Sequence, residues 1–365
     1  RCGVEKSAPF AEGAWMDTYC HLHSNQDLDC RLVTNPTAST SKDLSGGWHD
    51  AGDYNKYVNF TYATMHDLLS AYEQMPAVFS DSYNIPESGN GIPDILDEVK
   101  FELDWLLKMQ LSDGSVLTKV SVDAWQAEGP PSTDTAARMY GEPSSSSTRT
   151  IASIFSHASI IYRTLGTTAM TSYADTLLAR AELAWAWLLQ NPGHSFYDNA
   201  GFASATPEVS PYWQEATMTG AAAFLFAATG NTDYQTHFDT TYQLIEPMQW
   251  NYWLPWQSTF QDALLYYTDI PGATPAVVND IEGNAVSSAT ANNDNMLPAV
   301  LDERDAYRAH MNSNDYTWGS NRTKCNSALI MYNLLTHDVD AANHTHYRNA
   351  AADFVHFLHL SLIHI

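Results

Sequence analysis

Apolar residues recur at three- and four-residue intervals in segment after segment of this chain, as in Tyr62, Met65, Leu68, Leu69 and Tyr72, and again in Ile151, Ile154, Phe155, Ala158, Ile161 and Leu165. That spacing lines one face of a helix, and strand-like alternation is rare, so an all-α fold is expected. Further helices are read in "PDILDEVKFELDWLLKMQ", "YADTLLARAELAWAWLLQ", "ATMTGAAAFLFAAT" and "HYRNAAADFVHFLH". The first has Pro93 at N1, acidic Asp94, Asp97 and Glu98 early and Lys108 late, as the helix dipole favours. Gly166, the Asn191-Pro192-Gly193 run and the Gly230-Asn231 pair are placed to end helices. Ala174 to Leu189 and Ala216 to Thr229 are apolar or small over much of their circumference, which suits helices covered on two sides, as in a two-layer ring.

Val122 to Thr150 and Pro271 to Met296, rich in Ser, Thr, Pro and Asn, read as long loops where a helical scaffold would build a site. No linker divides the chain, so a single domain is expected. Lys and Arg total 17 against 42 Asp and Glu, a formal charge of -25. A phosphate backbone or an anionic membrane surface would be repelled, which argues against nucleic acid and membrane partners. With 11 Trp and 20 Tyr, the chain is equipped instead for a neutral polyhydroxylated ligand, since flat rings cover sugar faces and carboxylates take hydroxyls. No apolar run reaches the roughly 18 residues of a membrane span.

The densest chemistry lies in "SGGWHDAGDYNKYV", Ser45 to Val58. Hydrolysis of a glycosidic bond takes one carboxylic acid to protonate the leaving oxygen and one carboxylate to activate water or attack the sugar. Asp50 and Asp53 can supply the second role, on a backbone that Gly46, Gly47 and Gly52 allow to bend, with Trp48, Tyr54 and Tyr57 as ring surfaces. A bare D-x-x-D also serves as a cap, an Asx turn or a calcium ligand.

Together with "ESGNGIPDILDEVKFELDWLLKMQ" further on, this stretch resembles the catalytic domain of glycoside hydrolase family 9, chiefly endoglucanases acting on β-1,4-glucan. The resemblance implies an (α/α)6 barrel over residues 1–359 that stops before its last helices, with 360–365, "LSLIHI", as a non-native tail. It implies Asp53 as general base of an inverting reaction and Asp50 as a second holder of the attacking water; Trp48 and Tyr54 beside the aspartates, and Trp125, Trp253 and Trp256 in or beside loops, are the candidate sugar-contacting residues, core packing being the alternative for the tryptophans. The family's general acid is a glutamate near the C-terminal end of the barrel, and the last glutamate here is Glu303, so this chain is expected to lack it. A monomer acting on β-glucan, secreted or periplasmic, is implied; an exo-acting glycosidase of the same fold and a non-catalytic sugar-binding protein are the alternatives.

Cys2, Cys20, Cys30 and Cys325 allow two disulfides, Cys20 with Cys30 being the simplest. Alternatively Cys2, Cys20, His21 and His49 make a closed structural zinc set, as some relatives have at the matching "RCG", "CH" and "WHD" residues. The resemblance also implies calcium, for which Glu87, Asn90 and Asp94 in "ESGNGIPD" are the candidate ligands.

Overall fold

The computed structural model describes residues 1–124, 129–196, 198–203, 208–291, 296–301, 307–309 and 311–363. These residues form two compact units, Arg1–Ala221 and Ala222–Ile365.

In the first unit the long helices are α1 (Thr61–Gln74), α2 (Asp94–Met109), α3 (Ser145–Thr164), α4 (Thr168–Gln190) and α5 (Pro211–Thr229), whose C-terminal part belongs to the second unit. The apolar periodicities place α1 to α5 where the sequence does, and Pro93 stands just before the first helical residue of α2. Helices α3 and α4 pack as a hairpin around Leu165–Thr167, where Gly166 takes φ +69°. The serine run is the start of α3: Ser144 is its N-cap, accepting the Ser147 N–H, which satisfies one of the backbone donors a helix start leaves open. Most of α3 is buried, polar residues included, so its side chains find partners: His66 of α1 meets Ser153 at 2.9 Å and His157 at 2.9 Å, and Arg149 donates to Gln214 at 2.8 Å.

Short strands frame the segment ahead of these helices. Strands β1 (Arg31–Leu32), β2 (Lys56–Tyr57), β4 (Lys119–Val122) and β5 (Arg138–Tyr140) form a sheet in the order β1-β5-β4-β2, with Arg31 opposite Met139 and Lys56 opposite Val120. Strands β3 (Val116–Leu117) and β6 (Pro143–Ser144) pair separately. Val122 to Thr150 is therefore not one loop, since β5, β6 and the first turn of α3 lie within it.

The second unit contains α6 (Thr232–Thr241), α7 (Glu246–Trp250), α8 (Ser258–Thr268), α9 (Pro275–Ala289), α10 (Leu297–Leu301), α11 (Ser320–Thr336) and α12 (His344–Ile363). Helix α9 corrects the loop reading of Pro271 to Met296. Val277, Ile281, Ala285 and Ala289 of α9 are buried at four-residue spacing, a face that the Ser- and Asn-rich composition hides. Phe238 stacks on Tyr267 with ring centres 3.8 Å apart, and the Tyr267 hydroxyl donates to Asp239 at 2.6 Å.

The turn after α2 depends on Gly114, which takes φ +98° and lies so close to α4 that a Cβ would run into the Leu183 carbonyl. Gly114→Ala is expected to destabilise the chain by about 1–3 kcal/mol through the left-handed backbone and this contact. Urea denaturation of the two proteins measures it, and an unchanged midpoint would refute the close packing of this turn on α4.

Candidate active site and metal cluster

The stretch that carries the two aspartates leaves α2's surface on two left-handed glycines, Gly46 at φ +94° and Gly47 at φ +77°. A Cβ on Gly47 would stand 2.7 Å from the Trp105 ring, so glycine is needed there for close approach as well as for conformation. Gly52 does not share that backbone; Tyr54 does, at φ 54°. The loop is closed by the Asp50 N–H, which donates to the Asn55 carbonyl at 2.8 Å. Asp53 Oδ1 accepts the Asn55 N–H at 3.2 Å and Oδ2 accepts Asn55 Nδ2 at 3.0 Å. Asp50 faces solvent and Asp53 is half-buried. Partial desolvation, and after it the charge of Asp53, raise the Asp50 carboxyl above its usual range.

Beneath the loop lies a buried ionic group that the sequence does not announce. Lys56 Nζ donates to Asp27 Oδ2 at 2.6 Å, to the Leu44 carbonyl at 2.7 Å and to the Gly46 carbonyl at 2.8 Å. Arg138 donates from Nε to Asp27 Oδ1 at 2.9 Å and from Nη2 to the Tyr54 carbonyl at 2.8 Å. Burial alone would raise Asp27, but the two cations outweigh it and hold its carboxyl far below the usual carboxylate range. Both ends of the aspartate loop are thus gripped by one buried cluster, and Arg138 holds the carbonyl of the left-handed Tyr54 that follows Asp53.

Helix α2 grips the same loop from another side. Glu98, Glu102 and Trp105 share a face at i, i+4 and i+7. Glu102 accepts the Trp48 N–H at 2.5 Å, and Glu98 accepts Trp48 Nε1–H at 2.7 Å and Arg1 Nε–H at 2.8 Å. Burial pushes the Glu102 carboxyl up to about 8. A cavity of about 440 Å³ opens beside this cradle, lined among others by Arg1, Trp48, His49, Asp50 and Glu98.

All four cysteines are free thiols, and Cys20 is not paired with Cys30. Instead the ligand atoms of Cys2, Cys20, His21 and His49 lie within 4.8 Å of one another. The contact with Cys2 brings the Cys20 thiol down to about 6, and the same contact, with burial after it, raises Cys2. His21 presents Nδ1 to Cys2 at 3.5 Å while Nε2 faces Asp134 Oδ2 at 3.3 Å, the arrangement by which a carboxylate orients a metal-binding imidazole. His49 Nε2 is buried without a hydrogen-bond partner. Two soft thiols, two imidazoles and a buried unpartnered nitrogen fit a metal ion. The cluster also joins elements, because Cys2 N–H donates to the Gly47 carbonyl at 2.8 Å and Cys2 Sγ–H donates to Asp27 at 3.1 Å. Tyr54, a candidate sugar contact, has its ring centre 5.2 Å from that of His49 and 5.7 Å from that of His21, and its hydroxyl donates to the Gly129 carbonyl. Its ring covers the cluster.

The expected calcium ligands are only partly brought together. Glu87 Oε1 pairs with Arg1 at 2.7 Å while its Oε2 is buried without a hydrogen-bond partner, and Asn90 donates to Asp97 at 3.1 Å. Asp94 groups instead with Asp81 and Asp97. Asp97 follows Asp94 by three residues in the first turn of α2 and could have been read from that spacing; Asp81 is placed by the chain's return. Of the tryptophans, Trp253 is 2% exposed, so its ring faces are covered by protein and it does not offer a platform. Trp256 is 51% exposed in the second unit. Trp125 lies outside the described residues.

A mainly helical scaffold thus carries the paired aspartates on an irregular loop beside a helix face that bears two glutamates. The comparisons give the family: the model of glycosyl hydrolase family 9 matches residues 1–359, and the chain belongs to that family. Endoglucanase D of Acetivibrio thermocellus is 28% identical over 337 residues, covering 91% of this chain and 51% of the relative. A metagenome-derived glycoside hydrolase family 9 endoglucanase superposes with a TM-score of 0.78 at 26% identity, over 97% of this chain and 61% of that one. A Zn-binding triple mutant of the family 9 endoglucanase J30 does so with a TM-score of 0.77 at 26% identity, over 98% and 64%. The fold class is all-α, of the (α/α)6 barrel type of these family 9 structures. The chain spans about half the length of the curated relative. No helix among the described residues is long and apolar enough to cross a membrane.

Glu102 gives this site a pH signature. Its carboxyl rises from 4.5 to about 8 on folding, so between those values the native state holds a proton that the unfolded chain releases. Its contribution is full below 4.5 and is lost as the pH rises through 8, with a slope of about 1.4 kcal/mol per pH unit for one proton. Glu102→Gln, which keeps an acceptor for Trp48, is expected to flatten the fall in stability between about pH 5 and about pH 8. Urea midpoints across that range test this, and equal slopes in the two proteins would contradict a buried neutral Glu102.

Proposed function

We propose that the chain is part of an inverting hydrolase of β-1,4-glucan in which Asp53 is the general base. The observation that carries this reading is the geometry of the Asp50–Asn55 loop in a family 9 chain: two carboxylates on one turn that the Asp50 N–H closes on the Asn55 carbonyl, with the Asp53 carboxylate held by Asn55. Asp53 takes a proton from water as the water attacks the anomeric carbon, and Asp50 helps hold that water. Inversion leaves room for the water, with acid and base about 6.5–9.5 Å apart, so the leaving oxygen takes its proton from a carboxylic acid on another segment. Trp48, held beside Asp50 by Glu98 and Glu102, is the sugar contact that position supports. A polymer of this kind is met outside the cytoplasm, by a monomeric secreted or periplasmic enzyme.

Cys2, Cys20, His21 and His49 would hold zinc, whose chemistry in an all-protein thiolate and imidazole set is structural: it ties the N-terminal segment to the loop bearing the aspartates. Asp81, Asp94 and Asp97 would hold calcium, because Asp94 Oδ1 and Asp97 Oδ2 are buried without hydrogen-bond partners in a group of three carboxylates.

In the complete enzyme Asp53→Asn is expected to lower kcat on β-glucan by roughly 10²–10⁴-fold while oligosaccharide binding survives, since the base acts in the transition state. A variant retaining more than about a tenth of the wild-type rate would remove Asp53 from that role. Elemental analysis of protein purified without added metal should find about one zinc per chain, and a strong chelator should lower the melting temperature. Metal-free protein with the same melting temperature would overturn the zinc assignment.

A further inference from the structure

Asn55 is hydrogen-bonded to both candidate catalytic aspartates, and it is 0% exposed. Its carbonyl accepts the Asp50 N–H at 2.8 Å, and its own N–H donates to Asp53 Oδ1 at 3.2 Å. Its side-chain Nδ2 donates to Asp53 Oδ2 and to the Tyr57 hydroxyl oxygen, each at 3.0 Å. We infer that Asn55 is a positioning residue that sets the direction of the Asp53 carboxylate, an inference that rests on Asp53 acting as the base.

The backbone contact by itself is an ordinary Asx turn and fixes one carboxylate oxygen. The end of an aspartate side chain is otherwise a broad rotor, so one contact leaves the carboxylate plane free to turn. A second donor on the other oxygen, from the same residue, fixes that plane. The carboxylate keeps acceptor capacity for water, because two of its roughly four lone-pair sites are used. The Asn55 amide stands one way round: turned over, its Oδ1 would face the Asp53 carboxylate. The acceptor-only Asp53 carboxylate selects that orientation, the Tyr57 hydroxyl oxygen gives Nδ2 a second anchor, and Tyr57 is itself buried in β2, opposite Lys119 of β4. Sheet register therefore reaches the base through two side chains, Tyr57 and then Asn55. Loss of the amide leaves the turn closed by backbone bonds while freeing the carboxylate to rotate.

A double-mutant cycle in the complete enzyme separates aiming from mere packing. The substrate is an aryl β-cello-oligosaccharide, whose phenolate leaves without proton assistance and keeps slow variants measurable. Asn55→Ala is expected to lower kcat by about 10–100-fold with KM within about threefold, because misplacing a reacting group by about 1 Å is this costly. In an Asp53→Asn background the same change should lower the residual rate by less than about twofold, since there is no base left to aim. Asn55→Asp, of the same shape, repeats the cycle without opening a void and should lose rate in the same pattern. A kcat within about threefold of wild type, or an equal loss in both backgrounds, overturns the inference. Absence of hydrolysis by the wild-type enzyme is a distinct result and would sink the base reading on which the inference stands.

Discussion

Asp27 is a carboxylate with no access to water, shared between a lysine and an arginine that are equally buried. Taking such charges out of water costs several kcal/mol each unless geometry and hydrogen bonds offset it, and removing one partner leaves the others uncompensated. That condition ties together segments that are distant in sequence. Lys56 must place its three protons on Asp27, Leu44 and Gly46, and Arg138 must reach both Asp27 and Tyr54. The sheet register that sets Lys56 opposite Val120, and Arg138 opposite Val122, makes both reaches available at once. The Cys2 thiol leans on the same carboxylate, so the metal cluster and the aspartate loop share one support.

The helices around this centre act as a rigid wall more than as a source of chemistry. Helix α2 contributes a face at i, i+4 and i+7, on which Trp105 takes the glycine turn while Glu98 and Glu102 hold the two N–H groups of Trp48. Because α2 is anchored in turn by the Tyr162 hydroxyl on Leu96 and the Tyr173 hydroxyl on Asp104, the loop inherits the order of packed helices without being helical itself. Two-fold gripping of this kind, from a buried ion cluster and from a helix face, lets an irregular segment with Tyr54 in a left-handed conformation persist at a cost of a few kcal/mol or less.

Local composition and tertiary surroundings diverge at three places in the chain. Helix α9 was hidden because its Ser and Asn content suggests a loop, although Val277, Ile281, Ala285 and Ala289 carry the helical period. Trp253 looked available for sugar because of its neighbours in sequence, and burial removed it. Glu87 is read as a calcium ligand because it precedes a glycine-bent acidic stretch, and the structure gives one of its oxygens a partner remote in sequence, Arg1. For Trp253 and Glu87 a side chain is assigned by local company, whereas packing or a partner from elsewhere in the chain decides its surroundings.

What the sequence by itself determined was the helical class, through apolar spacing, and the identity of the chemical groups: Asp50 and Asp53 on a glycine-bent turn, and two cysteines and two histidines able to converge. The helices and the turn follow from local rules, since periodicity and turn chemistry act over a few residues, whereas the metal set rests on residue identity and family resemblance. Only the tertiary structure decided which of these groups meet and what holds them. Asp27, Lys56 and Arg138 carry no pattern that links them, Asp81 reaches Asp94 and Asp97 only when the chain returns, and Asn55 becomes important only once its amide is trapped between Asp53 and Tyr57. Such pairings are set by burial, because a charge or amide excluded from water must find its partner wherever the fold brings one.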